Sequence, residues 1–322
     1  MIIKERTKPT VMLQLEALLR RLPAQHRKRS QIEADLARYT AGYNGEKSID
    51  YHLSFLPEKE FFILHDLRLP SASHFFQMDT LILHANFILI LEVKNISGTL
   101  VFDQNFHQLI RRIGEKEEAF PDPFLQAARH KKQLQQWLAT KYFNDIPLEF
   151  LVVISSPSTL IKMVTFNQSF YKKIVHSAVI CDRINELLLI QRSPLLEQTS
   201  IRRLSRLLQK NHTIKLKPVL EQYQLKLSDC STGVYCPSCL ALPMNRIHGK
   251  WVCRECTRQS EKAYLSSLED YFLLTNSPAI SNKEFRSFLN IHSKTMAFNL
   301  LSASGLKHVN ARKSRVYLRN NL

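Results

Sequence analysis

Two apolar segments separated by a short turn constrain the fold of this chain more than any other feature. Residues 77–83 and 88–94 are dominated by Leu, Ile, Val and Met, and the turn is centred on residues 85–86. A connection of this length predicts an antiparallel β-hairpin. Opposed residues in such a hairpin have numbers with a constant sum, which places Asp79 opposite Glu92.

The predicted hairpin brings two carboxylates and an ammonium together. Directly opposed Cβ atoms lie about 4.5–5.5 Å apart, so Asp79 and Glu92 would repel each other. A Mg²⁺ ion removes that cost, since it binds one or two carboxylates and keeps several waters. Lys94 shares a face with Glu92 and can orient or deprotonate a water, or stabilise charge on a phosphate. The alternative interpretation is a surface ion pair between Glu92 and Lys94.

The remaining pattern of the first two thirds alternates between strands and helices. Further strands are predicted over 61–64, 99–102, 148–155 and 174–180. Helices are predicted over 11–22, from Ser30 onward, and over 46–56, 124–141, 183–191 and 195–210. Helices on both sides of a mixed sheet give an α/β core across about 41–190.

Four short motifs follow one another in a recognisable order. They are Gly45-Glu46, Met78-Asp79-Thr80-Leu81-Ile82, Leu91-Glu92-Val93-Lys94-Asn95 with Gly98, and Asp122-Pro123-Phe124-Leu125-Gln126. Together they resemble the nuclease-related domain (NERD) of the PD-(D/E)xK nuclease superfamily, over roughly residues 40–155. The resemblance implies a restriction-endonuclease-like fold and hydrolysis of phosphodiester bonds that depends on Mg²⁺ or Mn²⁺.

The resemblance also implies roles for individual residues. Asp79 and Glu92 correspond to metal ligands, Lys94 to the catalytic lysine, and Glu46 and Gln126 to further polar residues of the catalytic site. Two of these have simpler explanations. A Glu after Gly45 in a first helical turn favours the helix dipole. Gln126 in the first turn after Pro123 can serve as a cap.

A second site is indicated by four cysteines in two CxxC pairs with 13 residues between them. The ligand set is Cys236, Cys239, Cys253 and Cys256. Thiolate pairs at this spacing predict one structural Zn²⁺ in a zinc ribbon, since four thiolates close the tetrahedral site. Trp251 beside basic residues suits nucleic-acid contact by stacking, or alternatively forms the small core of the ribbon. Cys181 and Cys230 are predicted to be plain thiols.

The C-terminal part is strongly basic. The chain has a net charge of +17, and residues 191–322 hold 21 basic against 8 acidic residues, whereas residues 41–190 hold 15 against 16. A basic region of this kind favours nucleic-acid binding, and the alternative is a surface that only keeps the protein soluble. Three short helices and a terminal hairpin resemble a winged helix-turn-helix, and a small helical domain that docks another protein is the competing interpretation. The predicted phosphate contacts are Lys307, Arg312, Lys313 and Arg315.

These observations predict five segments. They are a helical N-terminal extension (1–40), a NERD-like nuclease domain (41–190), a helix and linker (191–229), a four-cysteine zinc ribbon (230–260) and a basic helical, winged-helix-like domain (261–322). No run of 18 apolar residues and no apolar leader occur, so we expect a cytoplasmic protein with reduced thiols and no membrane partner.

The predicted function is a Mg²⁺-dependent nuclease that acts on nucleic acid, with DNA as the expected substrate. The zinc ribbon and the basic C-terminal part would bind that substrate. The alternative is a non-catalytic DNA-binding or regulatory protein that retains the nuclease fold. The complete set of Asp79, Glu92 and Lys94 favours the enzyme, because a degenerate site would usually have lost one of them.

Overall fold

The structure is a computed structural model that describes residues 1–72, 74–144, 146–191, 194–311 and 314–319. The strands are β1 (Ile2–Lys4), β2 (Phe62–Ser71), β3 (His74–Leu83), β4 (Ile88–Lys94), β5 (Thr99–Asp103), β6 (Gln108–Ile113), β7 (Lys116–Pro121), β8 (Leu148–Ile154), β9 (Leu160–Met163), β10 (Ile174–His176), β11 (Asn245–Ile247), β12 (Lys250–Val252), β13 (Gln259–Ser260), β14 (Ala279–Ser281), β15 (Lys307–Ala311) and β16 (Ser314–Leu318). The α-helices are α1 (Thr10–Arg21), α2 (Arg29–Leu53), α3 (Pro123–Ala139), α4 (Gln168–Tyr171), α5 (Ile180–Ile190), α6 (Gln198–Lys210), α7 (Val219–Gln222), α8 (Ala263–Thr275), α9 (Asn282–Leu289) and α10 (Lys294–Ser302).

The chain forms two compact units. The first, called here the sheet unit, comprises Met1–Lys8 and Thr40–Ile214. The second, called the ribbon unit, comprises Pro9–Tyr39 and Lys215–Leu322. Neither unit is continuous in sequence, because an N-terminal segment of the chain contributes to each.

A six-stranded mixed sheet organises the sheet unit, in the order β1–β2–β3–β4–β8–β10. The β3–β4 hairpin is antiparallel with Leu83 opposite Ile88 and Thr80 opposite Leu91, which confirms the predicted register. Strand β8 runs parallel to β4 on its other side, with Glu92 paired to Val152. The restriction-endonuclease-like prediction of a mixed sheet flanked by helices is confirmed.

Alternation along β4 decides which helix each side chain meets. Leu89 and Leu91 pack with Ile49 of α2 and Ile184 of α5 on one face of the sheet. The even-numbered positions pack on the other face, where Ile90 joins Leu134 of α3 in a second core. Since side chains two apart in a strand share a face, Glu92 and Lys94 are directed toward α3.

Several elements differ from the sequence prediction, and two of these differences concern whole segments of the sheet unit. Helix α2 is one continuous helix, whereas the sequence predicts separate helices from Ser30 and over 46–56. The two glycines that suggest a break, Gly42 and Gly45, lie inside the helix. A second sheet, in the order β7–β6–β5–β9, includes two strands over 108–121 that were not predicted. Six of the 14 residues over 108–121 are charged, and ion pairs such as Arg111–Glu118 join the two strands, while Leu109 is buried in the core.

The ribbon unit combines the cysteine region with helices from both ends of the chain. Strands β11, β12 and β13 form the small sheet of the ribbon. Helix α8, β14, α9, α10, β15 and β16 follow in the winged-helix-like order that the sequence predicts. One apolar core contains Leu15 and Leu18 of α1, Trp251 of the ribbon and Phe272 of α8.

A buried ion pair lies in that core. Arg21 of α1 has a fully buried side chain, and its Nε donates to Asp270 Oδ2 of α8 at 2.9 Å. Arg20 Nη2 donates to the other oxygen of the same carboxylate at 2.7 Å. Both carboxylate oxygens are therefore satisfied, as a buried charge requires.

Residues 212–229 carry no clear periodicity, and the sequence predicts a linker there. In the structure Val219 and Tyr223 are buried in the core of the ribbon unit. Tyr223 also donates a hydrogen bond to Asp35 of α2 at 2.6 Å. A single helical turn is too short to produce a visible periodicity, although its apolar residues are buried.

Candidate functional site

Glu92 is the centre of the candidate site. Its side chain is only 1 % exposed, although it lies near the end of β4. Oε1 accepts a hydrogen bond from Lys94 Nζ at 2.7 Å. An ion pair this deeply buried is not the surface pair that the sequence left open as an alternative.

Helix α3 supplies two partners for this pair. Gln126 Oε1 accepts a hydrogen bond from Lys94 Nζ at 3.2 Å, so the lysine bridges a carboxylate and an amide. His130, one helical turn further on, places Nδ1 3.4 Å from Glu92 Oε2. Residues four apart on a helix lie on the same face, and α3 therefore presents both side chains to β4.

The first turn of α3 is capped by another residue. Asp122 is the N-cap, and its side chain accepts a hydrogen bond from the backbone N–H of Phe124 at 2.8 Å. The side chain of Gln126 instead contacts Lys94. The contact to Lys94, and not capping, is thus the observed role of the Gln126 side chain.

Asp79 lies on β3 next to Glu92. The paired register of the two strands ends at Thr80–Leu91, one position before Asp79, whose Oδ2 accepts a hydrogen bond from Val93 N at 2.8 Å. Burial and the charge of Glu92 raise the pKa of Asp79 to about 8. The two carboxylates are therefore close enough to repel each other, as the sequence predicts.

Glu92 itself remains the ionised partner. Burial alone would raise the pKa of Glu92, but the contact with His130 and the charge of Lys94 outweigh it and leave the pKa below its usual range. For Lys94, burial is likewise opposed by the charges of Glu92 and Asp79, which raise its pKa. A carboxylate and an ammonium thus stabilise each other at the end of β4.

Glu46 approaches the same region from α2. It lies within the body of this helix and not in its first turn, so the helix-dipole explanation is wrong. Burial and the charge of Asp79 raise the pKa of Glu46 to about 9. The acidic residue that the resemblance implied is therefore brought near Asp79.

A close contact at Gly45 sets the position of Glu46. A Cβ atom at Gly45 would lie 2.3 Å from Asn95 Cβ and 2.8 Å from Ser155 Oγ. These two residues directly follow β4 and β8. Only glycine allows α2 to approach the ends of the central strands this closely.

Arg6 is a site residue that the sequence analysis did not identify. Its buried guanidinium donates to Glu46 Oε2 at 3.0 Å, to Asp50 Oδ1 at 3.1 Å and to Thr80 Oγ1 at 3.0 Å. It also lies 3.8 Å from Asp66 Oδ2. The N-terminal segment thus supplies a cation that partly offsets a cluster of carboxylates.

His130 was missed as well, because the histidines are scattered and none lies in a metal-ligand pattern. Its spacing of four residues from Gln126 was the one available signal. Arg6 has no such signal, since it lies 40 residues before Glu46 and 73 before Asp79 in sequence.

The donor set fits a divalent cation. Glu92 Oε2 is buried and makes no hydrogen bond within the part of the chain that the structure describes. The neighbouring carboxylates of Asp79 and Glu46 are held together at the cost of raised pKa values. Oxygen ligands with excess negative charge are what Mg²⁺ and Mn²⁺ select. Asp79 and Glu92 are the residues that could hold such an ion.

The fold and this site define a class of α/β protein, in which a mixed sheet carries two carboxylates and a lysine at the end of a central hairpin. Residues 41–155 match the model of one family, the nuclease-related domain (NERD). This confirms the resemblance seen in the sequence and makes this part of the chain nuclease-related. No curated protein and no solved structure is significantly similar to the chain. Among the described residues, no helix is long and apolar enough to cross a membrane.

The four cysteines form the second candidate site. The Sγ atoms of Cys236, Cys239, Cys253 and Cys256 all lie within 4.8 Å of one another. Cys236 and Cys256 approach to 3.6 Å, and Cys239 and Cys253 to 3.5 Å. Zn–S bonds of about 2.3 Å in a tetrahedron require edges of about 3.8 Å, so the cluster fits one metal ion. Across the described ranges it is the one group of three or more His, Cys, Asp or Glu ligands this close together.

The predicted phosphate contacts belong to the wing. Lys307 is exposed on β15, and Arg315 lies on the paired strand β16 with its guanidinium 5.2 Å from the Phe298 ring centroid. Arg312 and Lys313 lie outside the described residues. Their roles in nucleic-acid binding stay predictions.

Proposed function

We propose that this chain is a metal-dependent nuclease that hydrolyses phosphodiester bonds in nucleic acid, with DNA as its substrate. The observation that carries the proposal is the environment of Glu92. One oxygen of this buried carboxylate accepts a hydrogen bond from the Lys94 ammonium. The other makes no hydrogen bond among the described residues and faces only the ring nitrogen Nδ1 of His130, at 3.4 Å. Asp79 lies beside Glu92.

In this proposal Asp79 and Glu92 hold Mg²⁺ or Mn²⁺. The bound ion supplies charge stabilisation for the phosphate and lowers the pKa of bound water. Lys94, fixed between Glu92 and Gln126, donates hydrogen bonds to the phosphate oxygens on which charge develops. Its ammonium is preorganised for this, because two acceptors already fix its position.

The remaining polar residues position this machinery. Gln126 and His130 contact Lys94 and Glu92 from α3, and Glu46 enters from α2 next to Asp79. We further propose that the four-cysteine cluster holds one structural Zn²⁺. Four thiolates leave no open position for a substrate, so this ion would contribute to folding and not to hydrolysis.

The decisive experiment compares cleavage of linear, circular and single-stranded DNA and of RNA, each with Mg²⁺ or Mn²⁺ and with neither. Asp79→Asn, Glu92→Gln and Lys94→Ala should each lower the rate of cleavage by about 10²–10³-fold or more, the loss typical of removing a charge-stabilising group. Circular dichroism should show that all three variants fold.

Glu149 and Lys173 provide matched controls. They form an ion pair in the sheet unit, with Glu149 on β8 next to β4. Glu149→Gln and Lys173→Ala remove the same charges from the same unit and should cleave at nearly the wild-type rate. If wild-type protein binds DNA but cleaves nothing with either metal, the non-catalytic alternative is correct.

A further inference from the structure

A cavity of about 460 Å³ lies in the ribbon unit, and none of its lining residues is one of the four clustered cysteines. Its walls include Arg246 and Trp251 from the β11–β12 hairpin and Arg254 beyond it. Ser293 and Met296, at the start of α10, line the opposite side. The cavity therefore lies between the ribbon and the helix that would be the recognition helix of a winged helix-turn-helix.

Two buried donors in this wall have no acceptor. Trp251 is 4 % exposed, and its Nε1 makes no hydrogen bond within the described residues. The Nη1 of Arg246 is also buried and unpartnered there, with its guanidinium 5.1 Å from the Trp251 ring centroid. Leaving a buried donor unpaired is costly, so both groups would gain from an acceptor that the chain itself does not supply, once a small side-chain movement opens them to the cavity.

The start of α10 adds further donors to the cavity. Ser293 caps α10 by accepting from Met296 N at 3.1 Å, and the earlier N–H groups of a helix have no partner within it. The positive end of the helix dipole lies here as well. Arg254 lines the same cavity, and its Nη2 donates a hydrogen bond to Asn245 Oδ1 at 2.9 Å. Among the described lining residues there is no Asp or Glu.

We propose that this cavity binds a phosphate group of the nucleic acid, with Trp251 Nε1, Arg246 and the N-terminus of α10 as the donors. A phosphate offers several acceptor oxygens and a negative charge, which this set of donors and cations requires. The inference rests on the proposed function for the identity of the ligand. It adds a contact at the ribbon, distinct from the predicted contacts of the wing at Lys307 and Arg315.

The chain contains two tryptophans, Trp137 and Trp251. In full-length Trp137→Phe protein, the fluorescence of Trp251 therefore reports on the cavity alone. Without added Mg²⁺ or Mn²⁺, titration with a short DNA duplex, single-stranded DNA or RNA should give a saturable change in emission. Inorganic phosphate should give the same change only at a concentration at least about 100-fold higher, because it lacks the other contacts of the polymer.

Substitutions identify the donors. Arg246→Gln should weaken binding of labelled DNA about tenfold and reduce the slope of log K against log salt by about one. Trp251→Phe keeps an aromatic side chain, although a smaller one, and removes the N–H; it should weaken binding by up to about tenfold. Lys250→Gln is the matched control, since Lys250 neighbours Trp251 on β12 but does not line the cavity. Melting temperatures should show that all three variants fold.

Three outcomes would overturn the proposal. The first is Trp251 emission that does not respond while labelled DNA binds. The second is an equal loss of salt slope in Arg246→Gln and Lys250→Gln, which would indicate general charge attraction. The third is a response to inorganic phosphate with none to DNA or RNA. Cleavage is measured separately. If the protein cuts DNA but the emission of Trp251 does not change, the phosphate site at the ribbon is refuted and the nuclease proposal stands. If the emission of Trp251 changes but no cleavage occurs, the nuclease proposal is refuted and the phosphate site stands.

Discussion

The two candidate metal sites of this chain are assembled in different ways. The cysteine cluster comes from one continuous stretch, residues 236–256, and its ligands need only a small hairpin to meet. The acidic site draws on β3, β4, α2 and α3, with Arg6 from the N-terminal segment. The ligands of the first site meet within one short hairpin, although the ribbon also packs in the core of the ribbon unit, whereas the second site exists only when the whole sheet has formed.

This difference predicts opposite consequences of damage. Loss of a cysteine ligand should remove local structure, because a small zinc ribbon depends on its metal for folding. Loss of a carboxylate or of the lysine should remove chemistry and leave the fold, because the apolar faces of the sheet supply the stability of the sheet unit. The four predictions below test this contrast.

The largest effect is expected at the cysteines. Cys239→Ser should abolish the binding of about one Zn²⁺ per chain, which is worth about 10–16 kcal/mol of apparent free energy in small zinc domains. Elemental analysis of protein purified without chelator measures this directly. Protease digestion should cut the ribbon region of the variant and spare the sheet unit.

Cys181→Ser is the control for that change. Cys181 lies outside the cluster, and its thiol donates to His52 O, a bond that a serine hydroxyl can replace. This variant should keep its zinc and its digestion pattern. Wild-type protein without zinc would contradict the assignment of the site.

Two glycines of α2 allow a matched test of the acidic site. Gly45→Ala places a Cβ against Asn95 and Ser155, and a displacement of about 1 Å in a catalytic group can cost about 100-fold in rate. Gly42→Ala has open space around its Cβ and should leave the rate unchanged. It should stabilise the helix by up to about 1 kcal/mol. Equal rates in the two variants would show that Glu46 need not be held in place.

A smaller effect is expected at His130, which acts through Glu92. His130→Ala should lower the activity about tenfold and raise the concentration of Mg²⁺ needed for half-maximal cleavage, as is usual for residues behind a metal ligand. A titration of the rate with Mg²⁺ separates the two effects. A reduced melting temperature with an unchanged Mg²⁺ requirement would assign His130 to packing alone.

The smallest effect is a gain of stability. With a pKa of about 8, Asp79 is protonated in the metal-free protein at neutral pH, and Asp79→Asn removes the cost of taking up that proton on folding, while an amide oxygen can still accept from Val93 N. We expect the free energy of unfolding in urea to rise by about 1 kcal/mol. Destabilisation of that size would mean that the Asp79 charge is already compensated without a metal.

The same contrast explains how much the sequence could predict. The CxxC pairs encode their site by spacing, so all four ligands were identified. The hairpin register follows from a two-residue turn, and Asp79, Glu92 and Lys94 follow from the register. Side chains that reach the acidic site across the sheet leave almost no local signal, which is why Arg6 and His130 were not found. Glu46 and Gln126 were found only because family motifs contain them.

The secondary structure shows the same limit. Buried strands such as β4 and β8 are continuous apolar runs and were predicted at nearly the right bounds. The strands β6 and β7 are largely exposed and charged, so no apolar period marks them. Helix α2 continues through two glycines, and the close approach of Gly45 to Asn95 and Ser155 is a contact between distant segments that no local pattern reveals.

The ion pair of Arg21 with Asp270 also bears on how the protein is made. Its partners are separated by 249 positions in sequence, so α1 leaves the ribosome long before α8. At about 5–20 residues per second, the apolar face of α1 waits on the order of tens of seconds for its partners. Throughout that time Leu15 and Leu18, buried in the finished protein, are exposed. The nascent chain should therefore be a client for chaperones, and any truncation before α8 that retains α1 should be prone to aggregation.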